Sequence, residues 1–355
     1  MQINVGDSHS IEKNIVKYVS FNQNKSCIIC GTENGFFICT LDPVKLKINR
    51  QMENASINIA EMLFTSNIIA FVGDGKYNMN GTLLDPQKLH IWDDNQNCFV
   101  GYLQYEAKIT SIKMRRDCML VTTAFGPVYL HDIVDLKILY QSLPTLDSYS
   151  VSDLSILTKD AIFAHMIEDG TYIAIYKCPN MKITSKINLD NFVPSKIRFN
   201  DEATLLAIAS SDGKNVRVYE TENGNLIKEF RRGSTQANIC CISFNKTSTL
   251  LCVGSDKGSI HVFALKEIQS GPINIRSSLY VLSNYLPKYF SSEWSFVRLY
   301  TSEQRMDIAF SSEDDIYIAG WSGMFYMYKI IFDKEKNMYE CQCKYSIMYT
   351  EMLKK

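Results

Sequence analysis

The sequence predicts an all-β protein, a single seven-bladed propeller spanning residues 1–355. Three observations carry this expectation. A unit of short apolar strands recurs from end to end, its spacing stays near about 45 residues, and helical periodicity is scarce. The turns between strands are clusters of Gly, Asn, Asp and Ser, as tight β connections require.

Each unit opens on an apolar strand, often ending in Phe-Asn. A polar turn follows, then a second apolar strand ending in small residues, a Gly turn and a third strand rich in Val, Ile and aromatics. The first unit is marked by Val19-Ser20-Phe21-Asn22. The second starts near Met62-Leu63-Phe64 and carries Ile91-Trp92-Asp93-Asp94, the Trp-Asp ending of such repeats. Ile112-Lys113-Met114 marks the third and Leu154 the fourth. The fifth and sixth are clear, at Ile197-Arg198-Phe199-Asn200 and Ile242-Ser243-Phe244-Asn245, and Phe296 marks the seventh. Steps between markers run 43, 50, 40, 45, 45 and 52 residues.

Two segments interrupt the rhythm. Gly73 to Lys88 is a polar insertion whose Gly73-Asp74-Gly75-Lys76 lacks the spacing and the Ser/Thr of a phosphate-binding P-loop. Lys266 to Ser292 mixes polar residues with Ile273, Ile275, Leu279, Tyr280, Val281, Leu282, Tyr285 and Leu286, much apolar surface for a long loop.

Bulk composition narrows the function. With 46% hydrophobic and 21% charged residues the chain is globular, and its 37 basic and 38 acidic residues nearly cancel. Anion binding must therefore be a local arrangement, and a strongly basic nucleic-acid binder is disfavoured. Eleven cysteines, an odd number, with a polar start at Met1 to Ser10, fit reduced thiols in a cytoplasmic protein. Cys27 and Cys30 sit three apart in a strand and face opposite sides, while Cys341 and Cys343 lack a second ligand pair, so no metal is expected. No apolar stretch approaches the roughly 20 residues of a membrane helix.

Catalysis has little support. No zinc-protease, nucleophile-elbow or EF-hand motif occurs, and His9, His90, His131, His165 and His261 are scattered. Glu313-Asp314-Asp315 reads as a solvated turn. Neither an enzyme activity nor a cofactor is expected.

Binding has more. Phe230-Arg231-Arg232-Gly233 closes a strand-like run, and successive side chains of a strand point to opposite sides. One Arg-Arg pair can thus serve two pockets, and guanidinium forks match phosphate oxygens. This run, between the fifth and sixth units, resembles the F-R-R-G motif of the PROPPINs, WD-repeat propellers that bind phosphoinositides. Leu251-Cys252-Val253-Gly254-Ser255-Asp256-Lys257-Gly258-Ser259-Ile260-His261-Val262-Phe263 is similar to the family's sixth blade. Further landmarks occur in order at Glu61-Met62-Leu63-Phe64, Ile91-Trp92-Asp93-Asp94, Met114-Arg115-Arg116-Asp117 and Leu286-Pro287-Lys288-Tyr289-Phe290-Ser291-Ser292-Glu293-Trp294-Ser295. The resemblance covers nearly the whole chain, weakest over Val151 to Leu189, and is nearest the shorter-loop branch of WIPI3 and WIPI4 type.

The resemblance implies two headgroup pockets at the rim. In the sixth-blade pocket Arg232 clamps a phosphate, Gly233 admits close approach, and Ser255, Ser259 and His261 add hydrogen bonds. Ser210, Gly213, Lys214, Arg217 and Arg231 occupy the fifth-blade positions. There Asp212 replaces the usual Lys, Lys214 the usual Thr and Asp190 a usual His, and Ile208 stands where some relatives have Ser, so this pocket is expected to be weaker or altered. The resemblance also implies phosphatidylinositol 3-phosphate and 3,5-bisphosphate as ligands on autophagic or endolysosomal membranes. It implies an autophagy lipid-transfer protein as partner at the second and third blades, for which the Gly73 to Lys88 insertion and Arg115-Arg116-Asp117 are candidates. The 266–292 loop, with Ile273, Ile275, Leu279, Tyr280, Val281 and Leu282, is expected to enter the bilayer beside the pockets, with about half of its apolar residues packed on the sixth blade. The chain is expected to act as a monomer. The competing expectation is a WD-repeat interaction scaffold whose arginines bind acidic peptides without lipid specificity.

Overall fold

Seven sheets form the ring in the computed structural model, antiparallel throughout except for one parallel strand added to blade 5; it describes residues 16–52, 55–75, 84–144, 150–167, 170–266, 273–276 and 293–354. Blade 1 holds β1 (Val16–Phe21), β2 (Cys27–Thr32), β3 (Gly35–Leu41) and β4 (Val44–Gln51). Blade 2 holds β5 (Ile57–Met62), β6 (Ile68–Gly73), β7 (Lys88–Asp93) and β8 (Cys98–Gln104). Blade 3 holds β9 (Ile109–Met114), β10 (Cys118–Thr123), β11 (Val128–Asp132) and β12 (Ile138–Gln141). In blade 4 are β13 (Ser152–Leu154), β14 (Ile162–Ile167), β15 (Tyr172–Lys177) and β16 (Lys182–Asn188). In blade 5 are β17 (Pro194–Phe199), β18 (Leu205–Ser210), β19 (Asn215–Glu220) and β20 (Leu226–Arg231). Blade 6 takes β21 (Ile239–Phe244), β22 (Leu250–Ser255) and β23 (Ser259–Ala264). Next in the chain comes β24 (Glu293–Trp294), which leaves blade 6 to pair in parallel with β20; β25 (Val297–Tyr300) then completes blade 6. Blade 7 takes β26 (Met306–Phe310), β27 (Asp315–Gly320), β28 (Met324–Asp333) and β29 (Met338–Met348), and a 3-10 helix follows at Tyr349–Lys354.

The core is divided among the blade interfaces. A middle strand is covered on both faces, so its alternate residues feed two different interfaces. In β18, Ala207 and Ala209 pack toward blade 6 while Leu206 and Ile208 pack toward blade 4. The same parity separates Cys27, in the blade 1–2 cluster, from Cys30, in the blade 7–1 cluster, as the C-x-x-C spacing predicts.

The Phe-Asn marks have a physical cause. Asn22 Oδ1 accepts Ser26 N at 2.9 Å and Cys27 N at 3.0 Å, closing the turn from first to second strand, and its Nδ2 donates to Phe64 O of blade 2 at 3.0 Å. Asn200 repeats this, accepting Leu205 N at 2.9 Å and donating to Ser248 Oγ of blade 6 at 2.9 Å. Asn245 accepts Thr249 N and Leu250 N at 2.9 Å each and donates to Glu313 Oε2 of blade 7 at 2.8 Å. One buried amide thus shapes a turn and ties its blade to the next.

The seventh marker differs from expectation. Phe296 lies just before the outer strand of blade 6, and the innermost strand of blade 7 ends at Phe310. The long segment falls within blade 6, between β23 and β25, and moves the seventh repeat down the chain.

Consecutive strands build both blade 1 and blade 7, so among the described residues no strand is exchanged to close the ring. Closure rests on side chains. Val19, Cys30, Phe37 and Cys39 of blade 1 pack with Ala319 and Phe325 of blade 7, and Phe21 N donates to Asp307 Oδ2 at 3.2 Å. Tyr349 of the 3-10 helix is wholly buried in this seam, its ring 5.9 Å from Phe37 and its hydroxyl donating to Gly320 O.

A central cavity of about 360 Å³ is lined by Glu61, Asp153 and Asp307 among others, and among the described residues by no histidine. Its carboxylates serve the ring. Tyr18 OH donates to Glu61 at 3.2 Å, and Lys113 lies 3.5 Å from it. Phe199 N donates to Asp153 at 2.7 Å, as Phe21 N does to Asp307. Replacing Tyr349 by Ala should remove about 3 kcal/mol or more of stability, from a large buried cavity and a lost hydrogen bond. Chemical denaturation checks this, and a loss below about 1 kcal/mol would show that the seam closes without it.

Candidate functional site: two clefts flanking blade 5

The pleat of β20 sorts its last residues by face. Phe230 is fully buried toward blade 6, stacked on Phe263 at 4.7 Å. Arg231 therefore faces blade 4 and Arg232, two residues beyond Phe230, faces blade 6. The Arg231 guanidinium carbon stands 5.6 Å from the Trp294 ring centroid.

On the blade 4 side the strands bring Ser210, Arg217 and Arg231 to one face. Ser210 continues the alternation of Leu206 and Ile208, and Arg217 lies opposite Glu229 on β20. Arg217 donates from Nε to Glu229 Oε2 at 2.7 Å and from Nη1 to Leu189 O at 3.4 Å, with its guanidinium over the Phe192 ring at 4.4 Å. Ser210 Oγ donates to Asp212 Oδ1 at 2.6 Å, the same oxygen accepts Lys214 N at 3.0 Å, and Lys214 Nζ lies 3.4 Å from the other. Burial opposes ionisation of Asp212, but the bonds from Ser210 and Lys214 outweigh it and hold the carboxyl below its usual range. The turn needs a glycine at 213: its φ is +64° and a Cβ would stand 1.9 Å from Ala237 O. Asp190 is exposed, and Ile208 is buried in the interface. Two cations of this cleft are already matched to carboxylates, Arg217 to Glu229 and Lys214 to Asp212.

The blade 5–6 cleft is built differently. Ser259, His261 and Phe263 alternate onto the face of β23 that meets blade 5, and Ser255 lies on the same face of β22. Ser255 and Ser259 share a hydrogen bond of 2.9 Å between hydroxyls, and His261 Nδ1 lies 3.0 Å from Ser295 Oγ. Arg232 is only 4% exposed. Its Nε donates to Gly213 O and its Nη2 to Thr235 O, while its backbone N donates to Lys214 O at 2.7 Å. Burial first, and then the nearby Arg298 guanidinium, lower its proton affinity from the usual arginine range. Arg298 is a contributor that the sequence does not single out. It lies opposite His261 on β25, is exposed at the mouth of the cleft, and donates from Nη1 to Tyr300 OH at 3.2 Å. Only the return of the 266–292 loop brings β25 beside β23, so the alternation of Val297-Arg298-Leu299-Tyr300 carries no sign of its neighbour. A Cβ at Gly233 would meet nothing within 4 Å, so packing does not demand glycine there.

Other expected contributors fall elsewhere. Ile273 and Ile275 are 64% and 59% exposed, whereas Leu279, Tyr280, Val281 and Leu282 lie outside the described residues. Gly73 and Asp74 belong to the inner part of the blade 2 insertion, whose residues 76–83 also lie outside them. Arg115 is no surface feature: it is buried, pairs with Asp117 at 2.5 Å and donates to Ser155 O, Thr158 O and Lys159 O, shaping a turn of blade 4. Arg116 is exposed over the Phe64 ring at 4.9 Å.

Burial, with Arg298 and Arg232 behind it, pushes His261 down to about 3. An unfolded histidine titrates near about 6.5, so between these values the unfolded chain binds the extra proton. Neutral His261 therefore favours the folded state fully above about pH 6.5, and that contribution is lost as pH falls toward 3. Between pH 6 and 4 the wild-type chain should lose up to about 1.4 kcal/mol per pH unit more than His261→Gln. Equal slopes in denaturation experiments would contradict the buried, cation-flanked setting.

Comparison with known proteins places the chain in a family. The PROPPIN family profile matches residues 15–340. Autophagy-related protein 18e of Arabidopsis thaliana is 26% identical over 332 residues, covering 92% of this chain and 87% of the relative. The crystal structure of Hsv2 from Kluyveromyces marxianus superposes with a TM-score of 0.75 at 22% identity, over 95% of this chain and 99% of that one. KlAtg21, solved in complex with the coiled-coil of AgAtg16, gives 0.72 at 21% identity, over 94% and 99%. With the profile spanning nearly all of a seven-bladed ring, the chain belongs to the PROPPIN family of phosphoinositide-binding propellers.

Proposed function

We propose that this chain is recruited to phosphoinositide-bearing membranes of autophagy or endolysosomal traffic through the two clefts that flank blade 5. The observation that carries the reading is the division of Arg231 and Arg232 between opposite faces, each beside its own cluster of hydroxyls and cations. A phosphorylated inositol headgroup is a compact multivalent anion, and convergent Arg, His and hydroxyl donors match it. Two clefts on one rim raise avidity through effective concentration, without a tight single site.

The clefts contribute unequally in this reading. In the blade 5–6 cleft Arg298 stands exposed above Arg232, Ser255, Ser259 and His261, and open space at Gly233 leaves room for a phosphate. In the blade 4–5 cleft a headgroup must compete with Glu229 and Asp212 for Arg217 and Lys214. The exposed Ile273 and Ile275 belong to a loop that enters the interfacial layer beside both clefts. A protein partner is also consistent with this reading: a structural neighbour, KlAtg21, was solved in complex with a coiled-coil of AgAtg16. We assign a lipid-transfer partner to blades 2 and 3, with Arg116 and Asp117 as exposed contacts.

The test is sedimentation with liposomes carrying phosphatidylinositol 3-phosphate, 3,5-bisphosphate or an equal charge of phosphatidylserine. Arg231→Thr combined with Arg232→Thr should abolish phosphoinositide binding, and wild-type binding by the pair would refute the mechanism. Because Arg232 also holds two backbone carbonyls, Arg298→Ala supplies a second-cleft variant that leaves those bonds in place. Arg298→Ala should weaken binding more than Arg217→Ala, and the reverse order would overturn the ranking of the clefts. Equal binding to phosphatidylserine would favour a scaffold without lipid specificity.

A further inference from the structure

The chain returns from the 266–292 loop through Glu293-Trp294-Ser295, and these three side chains grip three different parts of the rim. Glu293 is 6% exposed in β24, paired beside Phe230. Its carboxylate accepts Lys228 Nζ at 3.0 and 3.2 Å, Arg276 Nε at 3.2 Å and Nη2 at 2.8 Å, and Asn274 Nδ2 at 2.8 Å. Asn274 in turn accepts Ala264 N at 2.8 Å and donates to Ala264 O at 2.7 Å, where the loop leaves β23. One carboxylate thus fastens the start of the loop, its end and the outer strand of blade 5.

Trp294 exchanges backbone bonds with Ile275, at 3.1 and 2.8 Å, and sets its ring beside Arg231. Ser295 turns the other way and meets His261 Nδ1 at 3.0 Å. A single extended tripeptide therefore touches the loop base with one residue, the blade 4–5 cleft with the next and the blade 5–6 cleft with the third.

We infer that Glu293-Trp294-Ser295 is a strut that couples the loop segment 273–276 to both clefts, with Glu293 as its positioning residue. Removing the Glu293 charge leaves Lys228 and Arg276 facing each other without their shared counterion, and their repulsion displaces the segment. Trp294 and Ser295 then move together, and with them the settings of Arg231 and His261. Linkage makes the effect reciprocal: holding residues 293–295 in place favours headgroup binding, and a bound headgroup holds those residues. The inference rests on the headgroup reading of the two clefts.

The test uses soluble inositol 1,3-bisphosphate, so that bilayer insertion plays no part, with calorimetric titration as the readout. Arg298→Ala leaves the blade 4–5 cleft for measurement and Arg217→Ala leaves the other; neither residue has a contact with the strut among those described above. Glu293→Gln should lower affinity about fivefold or more in both backgrounds. Loss in one background only, or in neither, overturns the coupling. Trp294→Ala and Ser295→Ala leave the Glu293 network intact and keep the claim testable if Glu293→Gln unfolds. Trp294→Ala should weaken only the blade 4–5 cleft, and Ser295→Ala only the blade 5–6 cleft. The opposite assignment, or loss of both by either variant, overturns it too. Failure of the otherwise unaltered chain to bind the headgroup at all would remove the headgroup reading itself, and the strut with it.

Discussion

The pleat of one strand sets the rim on which the two clefts lie. β20 is the outer strand of blade 5, and its end must present successive side chains to opposite faces. Phe230 is committed to the blade 5–6 interface by its stack on Phe263, which fixes the register of everything after it. Arg231 and Arg232 are then assigned to different clefts by geometry alone. A one-residue slip would bury the wrong arginine and expose the aromatic ring.

The surroundings turn this symmetric assignment into an unequal pair. Arg232 is drawn inward to two backbone carbonyls, so it supports the turn at Gly213 as well as lining the blade 5–6 cleft. Arg298 supplies that cleft with an exposed cation. On the other face, Glu229 lies directly across from Arg217, and Asp212 gathers Ser210 and Lys214. Local neutralisation of this kind leaves the net charge of −1 unaffected while changing what an incoming anion meets. The same outer strand carries the tether of the loop, since β24 pairs with it and Lys228 binds Glu293.

What was legible in the sequence had a local cause. Phe-Asn recurs because a buried Asn shapes each turn and reaches the next blade, as Asn22, Asn200 and Asn245 do. The opposed arginines were legible because strand alternation needs no tertiary information. Features set by the long loop were not. Phe296 resembles an innermost-strand marker because the outer strand of blade 6 has the same apolar alternation, and only the pairing of β25 with β23 distinguishes them. Arg298 and Glu293 acquire their neighbours through that same return. Arg115 misleads in the opposite sense: two adjacent arginines read as surface charge, yet one of them is buried among the carbonyls of blade 4.

Calorimetric titration of the unaltered chain and of Arg231→Thr with a soluble diphosphorylated inositol headgroup tests the inequality most directly. Two binding steps of different affinity are expected, with the weaker one absent from Arg231→Thr and the tighter one retained. Two equal steps, or loss of the tighter step in Arg231→Thr, would contradict the division of the two arginines between unequal clefts.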